Sequence, residues 1–176
     1  MPLNVALAFL GVIFGYLLLL SRKRLYKVIF FVLWFLFVPN TIYLITDLQY
    51  LPEQFFKLAP PYQAILVGQY LLLFVLGIVT FLIGLYPLEK LLKDLKVRDR
   101  VIHQISLTVM IFLIAFAVAM GKIERVNSWY VFTNPREAIS GALATFNSSD
   151  IMTFVLLFGL FSSVLYFSFK RLFKFA

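Results

Sequence analysis

The feature that most constrains this chain is a series of five apolar runs, each of which lacks Lys, Arg, Asp and Glu and has at least 18 residues. A helix crosses the hydrocarbon core of a bilayer with about 17 to 25 mostly apolar residues. We therefore predict five transmembrane helices. They cover about residues 3–20, 28–45, 62–86, 104–121 and 151–169.

The composition of the chain supports the same interpretation. Of its 176 residues, 62% are hydrophobic and only 14% are charged, whereas a soluble protein is about half apolar and a quarter charged. This composition excludes a soluble enzyme, a disordered chain and a coiled coil. We predict an all-α polytopic membrane helix bundle that forms one transmembrane domain over residues 1–176. The first span lacks the basic start and the cleavage site of a signal peptide, so we expect it to be retained.

The basic residues of the connecting segments predict the orientation. Twelve of them lie on one side of a five-span chain and four on the other, which places the N-terminus outside and the C-terminus in the cytoplasm, across the plasma membrane. The twelve are Arg22, Lys23, Arg24, Lys27, Lys90, Lys93, Lys96, Arg98, Arg100, Lys170, Arg171 and Lys174. The four are Lys57, Lys122, Arg125 and Arg136.

The longest cytoplasmic segment, residues 87–103, alternates acids and bases from Glu89 to Arg100. This alternation is typical of a short solvated helix on anionic lipid. His103 follows it, and we interpret this histidine as a loop residue.

The residue types also exclude several kinds of site. The chain has no cysteine and one histidine, which excludes disulfides, Fe–S clusters, thiolate zinc sites and histidine-rich metal sites. It has no Walker phosphate loop and no His-Glu-x-x-His motif. We therefore predict no metal and no cofactor. The basic excess sits in short segments between spans, so we expect the lipid bilayer, and not nucleic acid, as its partner.

Pro39 interrupts the second span. A proline within a helix removes one backbone donor and displaces the carbonyl four residues earlier, here that of Phe35. In lipid such a freed group must find a partner within the protein. We expect the side chains of Asn40 and Thr41 to provide it.

Beyond this proline, polar and aromatic residues follow one helix face. Asn40, Tyr43, Asp47 and Tyr50 are spaced by three, four and three residues, so they fall within about 80° of one another. This stripe ends in a carboxylate near the outer surface and is a candidate ligand site. A structural interpretation is also open, in which Asn40 patches the kink, Asp47 marks the helix end and the tyrosines form an interfacial belt.

A second polar segment, residues 122–130, follows the fourth span. If the helix continues past Gly121, Arg125 and Trp129 share a face. The planar guanidinium of Arg125 could clamp an anionic group or pair with Asp47. In the alternative interpretation the segment is a solvated loop, with Trp129 anchored at the lipid headgroups.

A short helix is predicted over about residues 135–146. Asn134 suits the N-cap, Pro135 the first helical position and Glu137 the third. Since about twelve residues are too few to span a bilayer, we expect this helix to lie in the outer interface or to re-enter partway. Its apolar stripe consists of Ala138, Ile139, Ala142, Leu143 and Phe146. It could form a lid on the Asp47 side or simply pack on the bundle.

Small residues repeat at helical spacing in two other spans. Such stripes let helices approach closely in lipid, so we predict helix contacts there and, as an alternative, docking of another membrane protein. The stripes contain Asn4, Ala8, Gly11 and Gly15 in the first span and Gly159 and Ser163 in the fifth. In the third span, Gln63 and Tyr70 could face the same cavity as Asp47.

Two motifs carry a family resemblance. Residues 39–48 read Pro-Asn-Thr-Ile-Tyr-Leu-Ile-Thr-Asp-Leu, and residues 125–130 read Arg-Val-Asn-Ser-Trp-Tyr, with Pro135 after them. Together they resemble an uncharacterised family of bacterial integral-membrane proteins, a domain of unknown function. The resemblance implies a bacterial plasma membrane and no established activity. It also implies a histidine at Tyr50 and an acid at Tyr130 in most members, two polar groups that this chain lacks.

The leading hypothesis is an outward-facing site that binds a small polar or anionic ligand, or a lipid headgroup, in transport or envelope assembly. Its predicted residues are Asn40, Tyr43, Thr46, Asp47, Arg125, Asn127 and Trp129. One alternative is a membrane-embedded enzyme for a lipid-linked substrate, with Asp47 as general base assisted by Glu124 or Arg125. Another is a structural subunit of a membrane complex.

Overall fold

The computed structural model describes residues 2–95 and 99–173, and this part of the chain contains helices and no strand. The predicted all-α fold is therefore confirmed, including the short extra helix. The helices are α1 (Pro2–Leu20), α2 (Arg24–Phe37), α3 (Pro39–Thr46), a 3-10 turn (Asp47–Tyr50), α4 (Leu51–Phe55), α5 (Pro60–Asp94), α6 (Arg100–Lys122), α7 (Tyr130–Thr133), α8 (Pro135–Asn147) and α9 (Ser149–Phe173).

Five stretches are long and apolar enough to cross a membrane, as predicted. The most apolar part of each has a mean hydropathy between 2.0 and 2.5. Many of their large side chains, such as Leu72 and Leu157, are exposed on the helix surfaces, as expected of spans that face lipid. The stretches are Pro2–Leu20, Arg24–Phe55, Pro60–Asp94, Arg100–Lys122 and Ser149–Lys170.

The second stretch breaks at Pro39, as predicted. The Asn40 Nδ2 donates to the Phe37 carbonyl at 3.1 Å, and the Thr41 hydroxyl donates to the Val38 carbonyl at 2.7 Å. Both side chains therefore satisfy backbone groups at the break. The prediction named the Phe35 carbonyl, whereas the carbonyls that accept these bonds belong to Phe37 and Val38. The reason is that the chain tightens here to a three-residue turn, in which the Thr41 N–H donates to the Val38 carbonyl.

The chain groups into two compact units, Met1–Gly84 and Leu85–Ala176. In the first unit α1 packs on α2 and α3. Gly11 and Gly15 are buried there, and a Cβ added to Gly11 would lie 2.8 Å from the Phe37 carbonyl oxygen. The small residues of the first span thus let two backbones of the same chain touch.

Trp34 fixes a second contact within this unit. Its side chain is fully buried, and its Nε1 donates to the Gly84 carbonyl at 2.8 Å. A Cβ added to Gly84 would lie 3.3 Å from side-chain atoms of Val38 and Thr41. The break between α2 and α3 therefore packs closely on α5.

In the second unit α6 packs on α9. A Cβ added to Gly159 of α9 would lie 2.7 Å from the Phe112 ring of α6, and one added to Gly141 of α8 would lie 2.4 Å from Cγ2 of Val126. These glycines, like Gly11, contact helices of their own chain. Docking of another membrane protein through Gly11, Gly15, Gly159 and Ser163 stays a prediction.

The helix α8 agrees closely with its predicted range. Asn134 precedes it, and its Nδ2 donates to the Glu137 carboxylate at 2.6 Å. Gly141 and Thr145 face the protein, so the opposite face is open. The exposed apolar side chains on that face are Ile139, Leu143 and Phe146.

The segment predicted to be cytoplasmic differs from its prediction. α5 continues through Pro87 to Asp94, so the first part of the predicted solvated helix is the end of a candidate transmembrane helix. His103 lies in the first turn of α6 and is therefore not a loop residue. The helix begins before it because the Asp99 carboxylate caps the helix by accepting a hydrogen bond from the Val101 N–H at 2.7 Å. Of the basic residues in the charge count, Lys96, Arg98 and Lys174 lie outside the described residues.

The longer α5 buries an acid. Glu89 is only 2% exposed, and its carboxylate accepts a hydrogen bond of 2.5 Å from the Tyr166 hydroxyl and forms an ion pair with Lys170. Both partners belong to the last turns of α9. A solvated position was predicted for Glu89 because the apolar run stops at Tyr86, but the helix does not stop there.

We expect Gly11→Ala to lower the free energy of unfolding by about 1–3 kcal/mol, because the new methyl group meets a backbone carbonyl that cannot rotate away. Gly68→Ala is the matched control, since a Cβ at Gly68 meets nothing within 4 Å and alanine favours a helix by up to about 1 kcal/mol. Unfolding by SDS in mixed micelles, followed by tryptophan fluorescence, measures both. Equal effects of the two variants would contradict the close contact.

Two Glu–Lys pairs of opposite burial give a second prediction. Glu89→Gln should lower the free energy of unfolding by about 2 kcal/mol, since it weakens charged hydrogen bonds in a buried site. Glu53→Gln removes the carboxylate charge that pairs with Lys57. Because the side chains of Glu53 and Lys57 are 70% and 67% exposed, we expect little change in the free energy of unfolding. The same SDS titration measures both, and similar losses would argue against a stabilising role specific to Glu89.

Candidate functional site

Asp47 is the centre of the candidate site in the first unit. It lies where α3 passes into the 3-10 turn, and it is only 3% exposed. The Asn4 Nδ2 of α1 donates to its carboxylate at 3.0 Å. Burying a carboxylate is costly unless polar groups bind it, and the Asn4 amide is one such group.

Two tyrosine phenols interact electrostatically with this carboxylate. They belong to Tyr43 and Tyr70, and Tyr50 acts on both of them as well. A cavity shared by Tyr70 and Asp47 stays a prediction. Tyr70 is 1% exposed, and its hydroxyl has no hydrogen-bond partner among the residues that the structure describes. A buried hydroxyl without a partner costs about 1–3 kcal/mol, and native proteins rarely keep one.

Other polar side chains at this end bind the backbone. Asn40 bridges the helix break, and the Thr46 hydroxyl donates to the Tyr43 carbonyl at 2.7 Å. The Gln63 Nε2 donates to the carbonyls of Phe55 and Leu58 at 3.1 and 2.9 Å. It holds the connection before α5, and its position in a cavity with Asp47 stays a prediction.

The second group of predicted residues lies in the second unit. α6 ends at Lys122, and Arg125 has a positive φ of 56°. The helix therefore does not continue, and the shared helical face of Arg125 and Trp129 does not form. Arg125 is exposed, and the next residue, Val126, returns to the helix through a hydrogen bond from its N–H to the Met120 carbonyl at 3.2 Å.

Three further predicted residues lie near Arg125 in the chain. The Asn127 carbonyl accepts the Tyr130 N–H at 2.9 Å, and the Trp129 ring meets the Tyr130 ring edge-on at 6.2 Å between centroids. Glu124 packs beside α8, with its Cβ 3.8 Å from the position of a Cβ on Gly141. All three are half-buried. The segment is an ordered connection with its polar groups near α8.

Tyr43, Asp47 and Tyr70 lie in one unit together with Asn40 and Thr46, whose side chains also bond to nearby backbone carbonyls. Arg125, Asn127 and Trp129 belong to the other unit. The predicted pairing of Asp47 with Arg125, and a single site built from both groups, stay predictions. Within residues 2–95 and 99–173, no group of three or more His, Cys, Asp or Glu side chains could hold a metal ion.

Sequence reasoning missed two sets of polar residues. Asn4 was assigned to a packing stripe, although the start of α1 and the end of α3 fall at the same end of antiparallel helices. The cluster of Glu89 with Tyr166 and Lys170 was missed because an acid just after an apolar run suggests the end of a helix. The spacing of Tyr166 and Lys170, four residues apart on one face of α9, is the signal that could have found it.

Comparison with known proteins gives one match. No curated protein and no solved structure matches the chain. A family model described as "Protein of unknown function (DUF1361)" matches residues 3–165, which is nearly the whole sequence. The predicted resemblance to an uncharacterised family is thereby confirmed: this chain, a helical protein with five candidate transmembrane spans, belongs to the DUF1361 family of proteins of unknown function.

Proposed function

We propose that this protein holds a small polar ligand or a lipid headgroup at the cluster of Asn4, Tyr43, Asp47 and Tyr70, on the outer side of a bacterial plasma membrane. The observation that carries the proposal is the buried Tyr70 hydroxyl, which has no hydrogen-bond partner within residues 2–95 and 99–173 and interacts electrostatically with the buried Asp47 carboxylate. A ligand with a hydrogen-bonding group would satisfy that hydroxyl. Such a site suits transport or envelope assembly.

The energetics of lipid-embedded polar groups support this choice over a purely structural role. Phenylalanine would fill the place of Tyr70 without an unsatisfied hydroxyl, and a neutral residue at position 47 would avoid the desolvation of a carboxylate. Ionisable residues within membrane spans usually mark ligand or ion sites. Asp47 and Tyr70 together therefore favour binding.

The chemistry of the cluster narrows the ligand. A carboxylate repels anions and accepts hydrogen bonds, and a phenol can both donate and accept. A headgroup or solute with N–H or O–H donors fits these groups better than a bare anion. This favours the polar form of the hypothesis over the anionic form for the Asp47 cluster.

The orientation rests on the excess of twelve basic residues against four. It places the end of α3 and the start of α1 outside, and the end of α5 and the start of α6 in the cytoplasm.

Single cysteines test this orientation, because the chain has none of its own. Ser149→Cys lies at the start of α9 and Leu95→Cys just after α5, and both positions are exposed. In intact cells a membrane-impermeant maleimide should label Ser149→Cys at once and Leu95→Cys only after permeabilisation. The reverse labelling would overturn the orientation.

Tyr70→Phe tests the ligand site. In detergent alone we expect the variant to be as stable as the wild type, or more stable by about 1 kcal/mol, since it loses an unsatisfied hydroxyl. Added phosphatidylethanolamine, whose headgroup has N–H donors, should raise the thermal unfolding temperature of the wild type more than that of Tyr70→Phe. Differential scanning fluorimetry in mixed micelles measures both effects.

Tyr62→Phe is the matched control, because Tyr62 lies on the same helix and is exposed. It should respond to phosphatidylethanolamine as the wild type does. Asp47→Asn, which keeps the shape of the side chain, should lose the lipid response together with Tyr70→Phe. An equal response of the wild type and all three variants to phosphatidylethanolamine would contradict the proposed site.

A further inference from the structure

One turn of α5, formed by residues 84–87, is weakened in two ways. Pro87 lies inside the helix and has no N–H, so the Ile83 carbonyl, four residues earlier, lacks its usual partner within the helix. Gly84 lies in the same turn, and a glycine in the interior of a helix lowers its stability by about 1 kcal/mol relative to alanine. Both the hydrogen bonding and the helix propensity of α5 are therefore reduced at this turn.

The part of α5 before this turn is held by α2 and α3. The Gly84 carbonyl accepts a hydrogen bond from the Trp34 Nε1 of α2 at 2.8 Å. A Cβ added to Gly77 would lie 3.0 Å from Cγ1 of Ile45 in α3, and one added to Gly84 would lie 3.3 Å from Cγ2 of Thr41. These close contacts at two positions fix the first arm of α5, residues 60–84, to α2 and α3.

The part of α5 after this turn is held by α9. Glu89, two residues after Pro87, is only 2% exposed. Its carboxylate accepts a hydrogen bond of 2.5 Å from the Tyr166 hydroxyl and forms an ion pair with Lys170. Hydrogen bonds to an ionised group are among the strong ones in proteins. They fix the second arm of α5, residues 88–94, to the last turns of α9.

The division of the chain into its two compact units falls in the same turn, since the first unit ends at Gly84 and the second begins at Leu85. We propose that the turn of residues 84–87 is a hinge, at which the first arm of α5 changes its angle to the second arm. A hinge is a short segment that absorbs changes in backbone torsion while the elements on each side stay intact.

Such a motion preserves the contacts that fix the two arms. The hydrogen bond from Trp34 belongs to the first arm, and the contacts of Glu89 with Tyr166 and Lys170 belong to the second. Bending between the arms therefore requires neither set to break. The hinge also does not depend on the ligand site proposed at Asp47, so either proposal can fail without the other.

The geometry of a helix gives the size of the motion. Kinks at proline exceed about 20°. With a rise of 1.5 Å per residue, Leu72 lies about 22 Å before Pro87 along α5. A change of about 20° in the angle between the arms would therefore move Leu72 by about 8 Å relative to the second arm.

Double electron–electron resonance on the full chain in lipid nanodiscs tests the hinge, because the chain has no cysteine of its own. Spin labels at Leu72→Cys in the first arm and Leu157→Cys in α9 lie at exposed positions. Their distance distribution should be broader, by up to about 8 Å, than the distribution after Pro87→Ala is added. This substitution restores the N–H that can bond the Ile83 carbonyl.

Two controls isolate the hinge. Pro60→Ala is the matched variant, since Pro60 is the first residue of α5, where a proline costs the helix no hydrogen bond. It should leave the distribution between Leu72→Cys and Leu157→Cys as in the wild type. Ile102→Cys and Leu157→Cys form a pair within the second unit, and their distribution should not respond to Pro87→Ala.

Several results would overturn the proposal. Equal distributions for the Leu72–Leu157 pair with and without Pro87→Ala would show that α5 does not bend at this turn. Equal narrowing by Pro60→Ala, or of the Ile102–Leu157 pair, would show an effect that is not specific to the turn. In the wild type alone, a Leu72–Leu157 distribution no broader than that of the Ile102–Leu157 pair would exclude the hinge without any proline variant.

Discussion

The lack of water inside a bilayer is the constraint on which the rest of this structure depends. A backbone or side-chain polar group in the hydrocarbon region must find its partner within the protein. The break at Pro39 meets this requirement with Asn40 and Thr41, which bind the carbonyls of Phe37 and Val38. Trp34 meets it by donating to the Gly84 carbonyl. Polar residues of the spans therefore act first as partners for the chain itself.

Local and distant contacts differ in what they require of the fold. Asn40 and Thr46 bond to backbone carbonyls within the same turn of chain. Asp47 differs, because its partner Asn4 lies 43 residues away on another helix. Such a contact between helices requires that both polar groups be kept together, which a local backbone contact does not.

Much of the fold could be predicted from the sequence because apolar length and helix caps are local signals. The five spans, the break at Pro39 and α8 with Asn134 before it all depend on residues that are neighbours in the chain. Burial of Glu89 could not be predicted from the residues around it, since it depends on Tyr166 and Lys170, more than seventy residues later. An acid next to an apolar run has the same local pattern whether it is solvated or paired.

The candidate site shows the same division between local and distant signals. The stripe of Tyr43 and Asp47 follows from helical spacing, but the contribution of Asn4 needs the antiparallel packing of α1 and α3. The prediction that Arg125 and Trp129 share a helical face was wrong, because nothing in their spacing shows that Arg125 takes a positive φ.

Tyr70 differs from a typical tyrosine of a membrane protein in the surroundings of its hydroxyl. A tyrosine at a membrane interface normally directs its hydroxyl to water or headgroups, whereas the Tyr70 hydroxyl is buried and no described residue bonds to it. The ring alone would pack equally well as phenylalanine. A molecule that binds beside Asp47, as proposed above, would supply the hydrogen bond that the described residues do not.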